Sequence, residues 1–206
     1  MKAITKIWVL AVAKVLLPCF CLCQFSGRLQ YQITSYKEGS SDTIRDVSIC
    51  QFSAKRMLST SKQQPLQTLI SFDEGVHRRV DTTRQIENSM PLSSMESKSQ
   101  PTLLDSSIVD GAWSYHYRLI ASSDLMGAPV YDVTEYWVSS AIRLNSYVSN
   151  GYYGPMLNGT GFALTKFRRK VSIEGRGTTI TDGYLDAVQR IPYTDADLKL
   201  IMAAKN

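Results

Sequence analysis

Apolar and polar residues alternate over several short stretches of the chain, and that two-residue period marks strands with one face buried. Leu29, Tyr31 and Ile33 alternate with Gln30, Gln32 and Thr34. Residues 47–52 and 66–72 are further strand candidates, and Glu38-Gly-Ser-Ser-Asp42 supplies turn chemistry between the first two. The clearest pattern lies in 112–121, where Trp113, Tyr115, Tyr117 and Leu119 share one face and Ser114, His116 and Arg118 the other. Strands are also expected over 130–138 and 142–148, followed by a type I′ hairpin turn at Asn150-Gly151. Asn158-Gly159 and Gly175-Arg-Gly177 bracket 162–173, where the apolar phase switches between Leu164 and Phe167, so a bulge or bend is expected there.

The period changes near the C-terminus. Thr194 and Asp197 have capping-box spacing, Tyr193 and Leu198 are placed for a hydrophobic staple, and Leu198, Ile201 and Met202 share one helical face. A short amphipathic helix is therefore expected over 195–204. The fold class that follows is α+β, a predominantly antiparallel β-sheet with a short C-terminal α-helix.

The first 23 residues follow a different rule. Lys2 and Lys6 precede an apolar run from Ile7 to Cys23 broken only by Lys14 and Pro18, the layout of a secretory signal peptide. A lysine near the middle of the run would cost about 2.5–3.5 kcal/mol in membrane insertion, which favours a cleaved leader over an anchor. Cys21 and Cys23 meet the small-residue requirement before a cut, leaving Gln24 first. Pro18, Phe20 and Leu22, each preceding a cysteine, disfavour lipid attachment. The expected organisation is a signal peptide over 1–23, a small β-rich region over 24–80, a Ser-rich linker or long loop over 81–110, and a main β-rich domain with the helix over 111–206. In the linker, residues 89–107 hold seven serines, two prolines and no aromatic residue, too little apolar surface to offset ordering entropy. Removal of the leader leaves Cys50 alone, so no intramolecular disulfide is available, and the bland role for Cys50 is a small buried apolar side chain.

Charge changes the picture little. The net +5 includes three leader lysines, so the rest is nearly balanced, with 20 basic residues against 18 acidic. That makes no electrostatic case for nucleic acid as a partner. The catalytic inventory is thin, with two histidines, His77 and His116, and no nucleophile elbow, P-loop or zinc-protease motif. No catalytic residue, metal site or cofactor is assigned. Lys166, Arg168 and Lys170 project from one strand face as a patch for an anionic partner, although charge of this kind also protects an edge strand. Asn158-Gly-Thr160 is a glycosylation acceptor if the source is eukaryotic.

Seven of the 11 tyrosines fall between 115 and 153. Tyrosine gives large contact area with a polar tip at low rotamer cost, which suits recognition. Tyr115, Tyr117, Tyr147, Tyr152 and Tyr153 are the expected binding residues. The reading is a secreted or periplasmic, non-catalytic binding protein that presents a Tyr-rich surface to a protein or glycan. Two alternatives stand beside it. One is a small exported hydrolase using His116 with Ser114 or an acid from the 124–135 region. The other is a membrane-tethered component of an envelope assembly, with membrane contact only if the leader is uncleaved or lipidated.

Overall fold

The computed structural model describes residues 24–95, 98–144 and 158–200. The leader, the Asn150-Gly151 turn, and Tyr147, Tyr152 and Tyr153 lie outside the described residues.

Eleven antiparallel strands form one sheet: β1 (Gly27–Lys37), β2 (Thr43–Phe52), β3 (Arg56–Ser61), β4 (Leu66–Ser71), β5 (Val76–Asp81), β6 (Ile86–Pro91), β7 (Thr102–Val109), β8 (Ala112–Leu125), β9 (Ala128–Arg143), β10 (Phe162–Ile173) and β11 (Gly177–Arg190). Their spatial order is β6-β5-β4-β3-β2-β1-β11-β10-β9-β8-β7. Each half is a meander of hairpins, and β1 pairing with β11 joins the halves. The strands of 24–80 and of 111–190 therefore share one hydrogen-bonded ladder. The segment 81–110, expected to be a linker or loop, contributes β6 and β7, the two edge strands, with a 3-10 turn at Leu92–Met95 between them. Edge strands need bury little, and all of β6 and β7 is exposed, which is why composition pointed away from strand.

That connection also forces curvature. Eleven strands laid flat span roughly 48 Å at about 4.8 Å per strand. The ten residues from 92 to 101 that join opposite edges reach about 36 Å at most, and less with a 3-10 turn among them. The sheet must therefore curl, and the core shows that it does. Met57 and Ile70 from one wing, Tyr136, Val138 and Leu164 from the other, and Leu29 and Tyr31 at the base belong to one buried cluster. Phe72 and Leu92 complete the cluster at one end of the concave face.

Two hairpins use the positive φ angles of a type I′ turn. Asp110 (50°) and Gly111 (77°) join β7 to β8, and Met126 (54°) and Gly127 (82°) join β8 to β9. The expected bulge is present: the β9–β10 register shifts between Leu164 and Lys166. The freed groups find other partners, since the Tyr31 hydroxyl donates to the Leu164 carbonyl (3.2 Å) and Thr165 Oγ1 donates to the Trp137 carbonyl (3.1 Å).

The C-terminal α-helix is not formed, and no α-helix occurs among the described residues, so the fold is antiparallel β rather than α+β. Only the carboxylate half of the capping box is made: the Thr194 amide and hydroxyl both donate to Asp197 Oδ2 (2.7 Å each), while the Asp197 amide donates to the Thr194 carbonyl (3.1 Å) rather than to the hydroxyl. They close a single turn over 195–197. Competing tertiary contacts explain why no helix propagates. Asp195 accepts from Ser53 Oγ (2.6 Å) and the Lys55 amide (3.0 Å), and Arg56 donates to the Asp195 carbonyl (2.9 Å). Leu198 is buried against Leu58 and Leu69 on the convex face of β3 and β4, with Tyr193 and Leu200 beside it. A tail pinned this way gains more by apolar burial than a two-turn helix gains by propagation.

Candidate functional site: the open end of the concave face

Register assigns side chains to faces, because directly opposed residues in an antiparallel ladder share one. Across the right wing, Ile33, Gly183, Phe167, Tyr136, Tyr117 and Leu103 form one concave row. At this level and above it, the concave face is filled by its own side chains. Tyr117 stacks on buried Tyr136 (centroids 5.3 Å, 16°), and Tyr115 lies between Trp113 (6.2 Å) and Phe162 (5.8 Å). Burial, helped by the neighbouring Tyr115, raises the Tyr117 phenol pKa. Tyr115 and Tyr117, expected to bind, are thus half-buried in the wall of this face.

Below, the concavity opens. Ile33 and Ser35 of β1, Ile44, Asp46 and Ser48 of β2, Ser59 and Ser61 of β3, Leu66 and Thr68 of β4, and Arg79 of β5 line a cavity of about 340 Å³. Leu66 and Arg79 also line a smaller recess of about 210 Å³ with Asp81, Arg84 and Ile86. Strand alternation sends these small hydroxyls and scattered aliphatics to one face. Few of them bulk far enough inward to meet the opposite wing, so this end stays open.

Its electrostatics are uneven. Asp46 is held in place, accepting from Ser61 Oγ (2.6 Å), the Val47 amide (2.7 Å) and the Gln63 amide (3.1 Å). Asp132 is clamped by Arg169 at 2.6 Å. Arg79 is exposed and has no ion pair among the described residues. It also acts on His77, two residues before it on the same face. His77 is buried, its Nδ1 has no hydrogen-bond partner among the described residues, and burial followed by the Arg79 charge holds its pKa below the ordinary value. An unfolded chain protonates His77 near pH 6.5, before the native state does. Native stability should therefore fall as pH drops through about 6.5 and level off below the native pKa. Urea midpoints at pH 7.5 and 5.5 test this, and His77→Asn should flatten part of the difference.

Cys50 sits at the base of the same face, fully buried, its thiol donating to Ser59 Oγ at 3.7 Å. Burial pushes its pKa up to about 11, which leaves a neutral thiol at physiological pH.

The convex face carries the other expected residues. Lys166, Arg168 and Lys170 project from it together, as the alternation required, but their charge is largely met. Arg168 makes a two-pronged contact with Asp182 (2.8 and 3.1 Å), and Lys170 pairs with Glu38 (3.0 Å). Lys166 lies over the Trp137 ring, 5.0 Å from its centre. Arg168 belongs to a cross-strand row of alternating sign, Arg118–Glu135–Arg168–Asp182, that sequence spacing alone could not reveal. His116 stacks on the other side of this sheet from Tyr117, flat on Trp137 (4.1 Å, 11°), with Nε2 3.6 Å from Glu135 Oε2. Ser114 shares its face, whereas Asp132 lies on the concave one, so Ser114, His116 and Asp132 do not converge. Among the described residues, no group of three or more His, Cys, Asp or Glu side chains could hold a metal ion. Asn158 is buried and internally bonded, accepting from Thr160 Oγ1 (2.5 Å) and donating to the Phe162 carbonyl (3.2 Å), a placement closed to glycan transfer.

No protein-family model matches the sequence, and no curated protein does. Several solved structures are similar to it at low identity. A LolA superfamily protein from Nitrosomonas europaea is similar over 86 % of this chain and 91 % of its own, at 8 % identity and a TM-score of 0.41. PNGF-II is similar over 84 % of this chain and 29 % of its own, at 11 % identity and a TM-score of 0.48. A DUF1329 family protein from Desulfovibrio piger is similar over 86 % and 88 %, at 9 % identity and a TM-score of 0.36.

Proposed function

We propose that this is a non-catalytic binding protein that holds an amphiphile with an anionic head in the open end of its concave face. One observation supports the reading above the others: Arg79, a cation without an ion pair among the described residues, stands in a cavity that also presents Ile33, Ile44 and Leu66. An apolar tail gains by covering those aliphatics, Ile44 being 66 % exposed. A carboxylate or phosphate gains a charge-assisted, two-pronged contact with the guanidinium. The surrounding hydroxyls of Ser35, Ser48, Ser59, Ser61 and Thr68 serve as weak, adaptable partners to the head group. In this reading Tyr115 and Tyr117 form the wall that stops the ligand from running deeper, and export to an extracytoplasmic compartment follows from the leader.

Fluorescence titration of the full chain with cis-parinaric acid and with its methyl ester tests the assignment. Saturable binding of the acid is expected. Arg79→Gln should weaken the acid by about tenfold or more, a charged hydrogen bond contributing about 1.5–3 kcal/mol, and leave the ester nearly unchanged. Leu66→Asp should weaken both. No saturable binding of either probe, or equal loss of acid and ester in Arg79→Gln, defeats the proposal.

A further inference from the structure

Three residues of β5 share the concave face in order of depth. His77 is buried opposite Ile70, Arg79 stands exposed at the cavity wall, and Asp81 reaches the rim, where the turn over 82–85 leads into β6. Arg79 and Asp81 lie about 7 Å apart along the strand, two residues at about 3.4 Å each. Both line the recess of about 210 Å³ that continues the cavity outward over β4 to β6. The register sets Asn88 directly opposite Arg79, and Leu66 and Ile86 on either side of Asp81. Charge therefore changes sign on the way out of the cavity, from a cation to an anion.

These two charges are not spent on each other, since no ion pair joins them. Asp81 Oδ1 accepts from the amides of Thr83 (3.0 Å) and Arg84 (2.9 Å), which fixes the carboxylate in the turn. Its Oδ2 has one ion-pair partner among the described residues, Arg84 Nε at 3.9 Å, and that arginine side chain is 77 % exposed. A surface pair of this kind contributes little and yields to a better donor. A head group matched to the array is therefore anionic nearest the tail and cationic beyond. An ammonium on a two-carbon link brings three donors, enough for Asp81 Oδ2 and the Asn88 carboxamide oxygen, whereas a trimethylated amine brings none. A second anionic or neutral group in the same place would leave Asp81 without a counter-charge.

We propose that the open end selects a zwitterionic phospholipid carrying a primary amine, its phosphate on Arg79 and its ammonium between Asp81 and Asn88. The inference rests on the cavity being the site of an amphiphile with an anionic group, and it names the head. The acyl part lies inward against Ile33, Ile44 and Leu66, and the amine points to the rim.

The test displaces cis-parinaric acid from the full chain with dihexanoyl phosphatidylethanolamine, phosphatidylglycerol and phosphatidylcholine, each kept monomeric. The ethanolamine lipid should displace the acid at a concentration at least about fivefold lower than either of the others, the effect of a charge-assisted hydrogen bond. Asp81→Asn keeps an oxygen for the two turn amides and removes the charge, so it should bring the ethanolamine lipid to within about twofold of the glycerol lipid. The ratio is what is read, and a general loss of affinity cancels from it. Arg84→Gln should keep that preference or enlarge it. No preference for the ethanolamine lipid, or a preference that survives Asp81→Asn, overturns the proposal. So does a parallel loss of both lipids in Arg84→Gln, which would mean a phosphate held between two arginines. In each of these cases the acid still binds and the reading of the cavity stands. An acid that does not bind defeats that reading, and this inference with it.

Discussion

Gly183→Ala should lower the stability of the protein by about 3 kcal/mol, the upper part of the range for forcing extra volume into a packed core. Gly183 lies on the concave face of β11, opposite Phe167 of β10 on one side and Ile33 of β1 on the other. The Phe167 ring lies across the space where a side chain would stand. A Cβ on residue 183 would fall 2.1 Å from ring atom Cε1, with Cζ at 2.7 Å and Cδ1 at 2.8 Å. Phe167 is buried in the main core cluster and cannot swing into solvent without opening it. The glycine's role is steric room rather than backbone freedom. Urea unfolding measures the loss, and Phe167→Leu supplies the second arm. Trimming the ring should make Gly183→Ala cheaper, so the double variant should be more stable than the two single costs added together. Strict additivity, or a loss below about 0.5 kcal/mol for Gly183→Ala alone, would mean that the ring is not seated there.

Gly183 also shows what the sequence could convey and what it could not. Where a strand sits in the middle of the sheet with one face in the core, alternation was sufficient. Residues 29–34, 47–52, 112–121 and 162–173 fall on β1, β2, β8 and β10, and the Leu164 phase switch marks a real bulge. β11 escaped notice because Gly183 interrupts its apolar row and the register shift against β1 at Asp186 breaks its period. That carboxylate faces solvent, held below its usual pKa by hydrogen bonds from Gln32 and Gln30. β6 and β7 escaped notice because an edge strand need not alternate. Helical spacing at 195–202 misled for the opposite reason: local capping signals were genuine, yet Leu198 could be buried against β3 and β4 without a helix.

The site was less legible than the fold. The period of two puts Tyr115 and Tyr117 on one face of β8 but does not say which face is concave. The open cavity draws on β1 to β5 and on Thr181 of β11, regions with unremarkable serines and threonines, and becomes visible only once the sheet curls. Arg79 carries no sequence signal at all. What distinguishes it is its place in the open cavity without an ion pair among the described residues, and both are properties of three dimensions. The basic run Lys166, Arg168 and Lys170 shows the converse, a strong signal in sequence whose charge Asp182, Glu38 and the Trp137 ring absorb in the fold.

Tyr31→Ala should cost about 3–5 kcal/mol, the largest single loss among side-chain truncations in the core, and Tyr31→Phe a separable part of it. Tyr31 stands on the concave face of β1, fully buried, and reaches over β11 to β10. Its hydroxyl donates to the Leu164 carbonyl at 3.2 Å, at the point where the bulge interrupts pairing with β9. Burial raises the phenol pKa well above its usual value, so the hydroxyl keeps its proton and remains a donor across the physiological range. The ring fills the angle between the two wings, and the hydroxyl satisfies a carbonyl that the bulge has taken out of the ladder. Tyr31→Phe keeps the packing and strands the carbonyl, a loss of about 1–3 kcal/mol. Tyr31→Ala removes both and leaves a cavity where curvature is greatest. The pair of variants therefore separates filling from hydrogen bonding in what holds the sheet curled. If Tyr31→Phe were as stable as the wild type in urea unfolding while Tyr31→Ala lost the full amount, volume alone would set the curvature. A loss in Tyr31→Phe approaching that in Tyr31→Ala would instead make the bond across β11 the main tie between the wings.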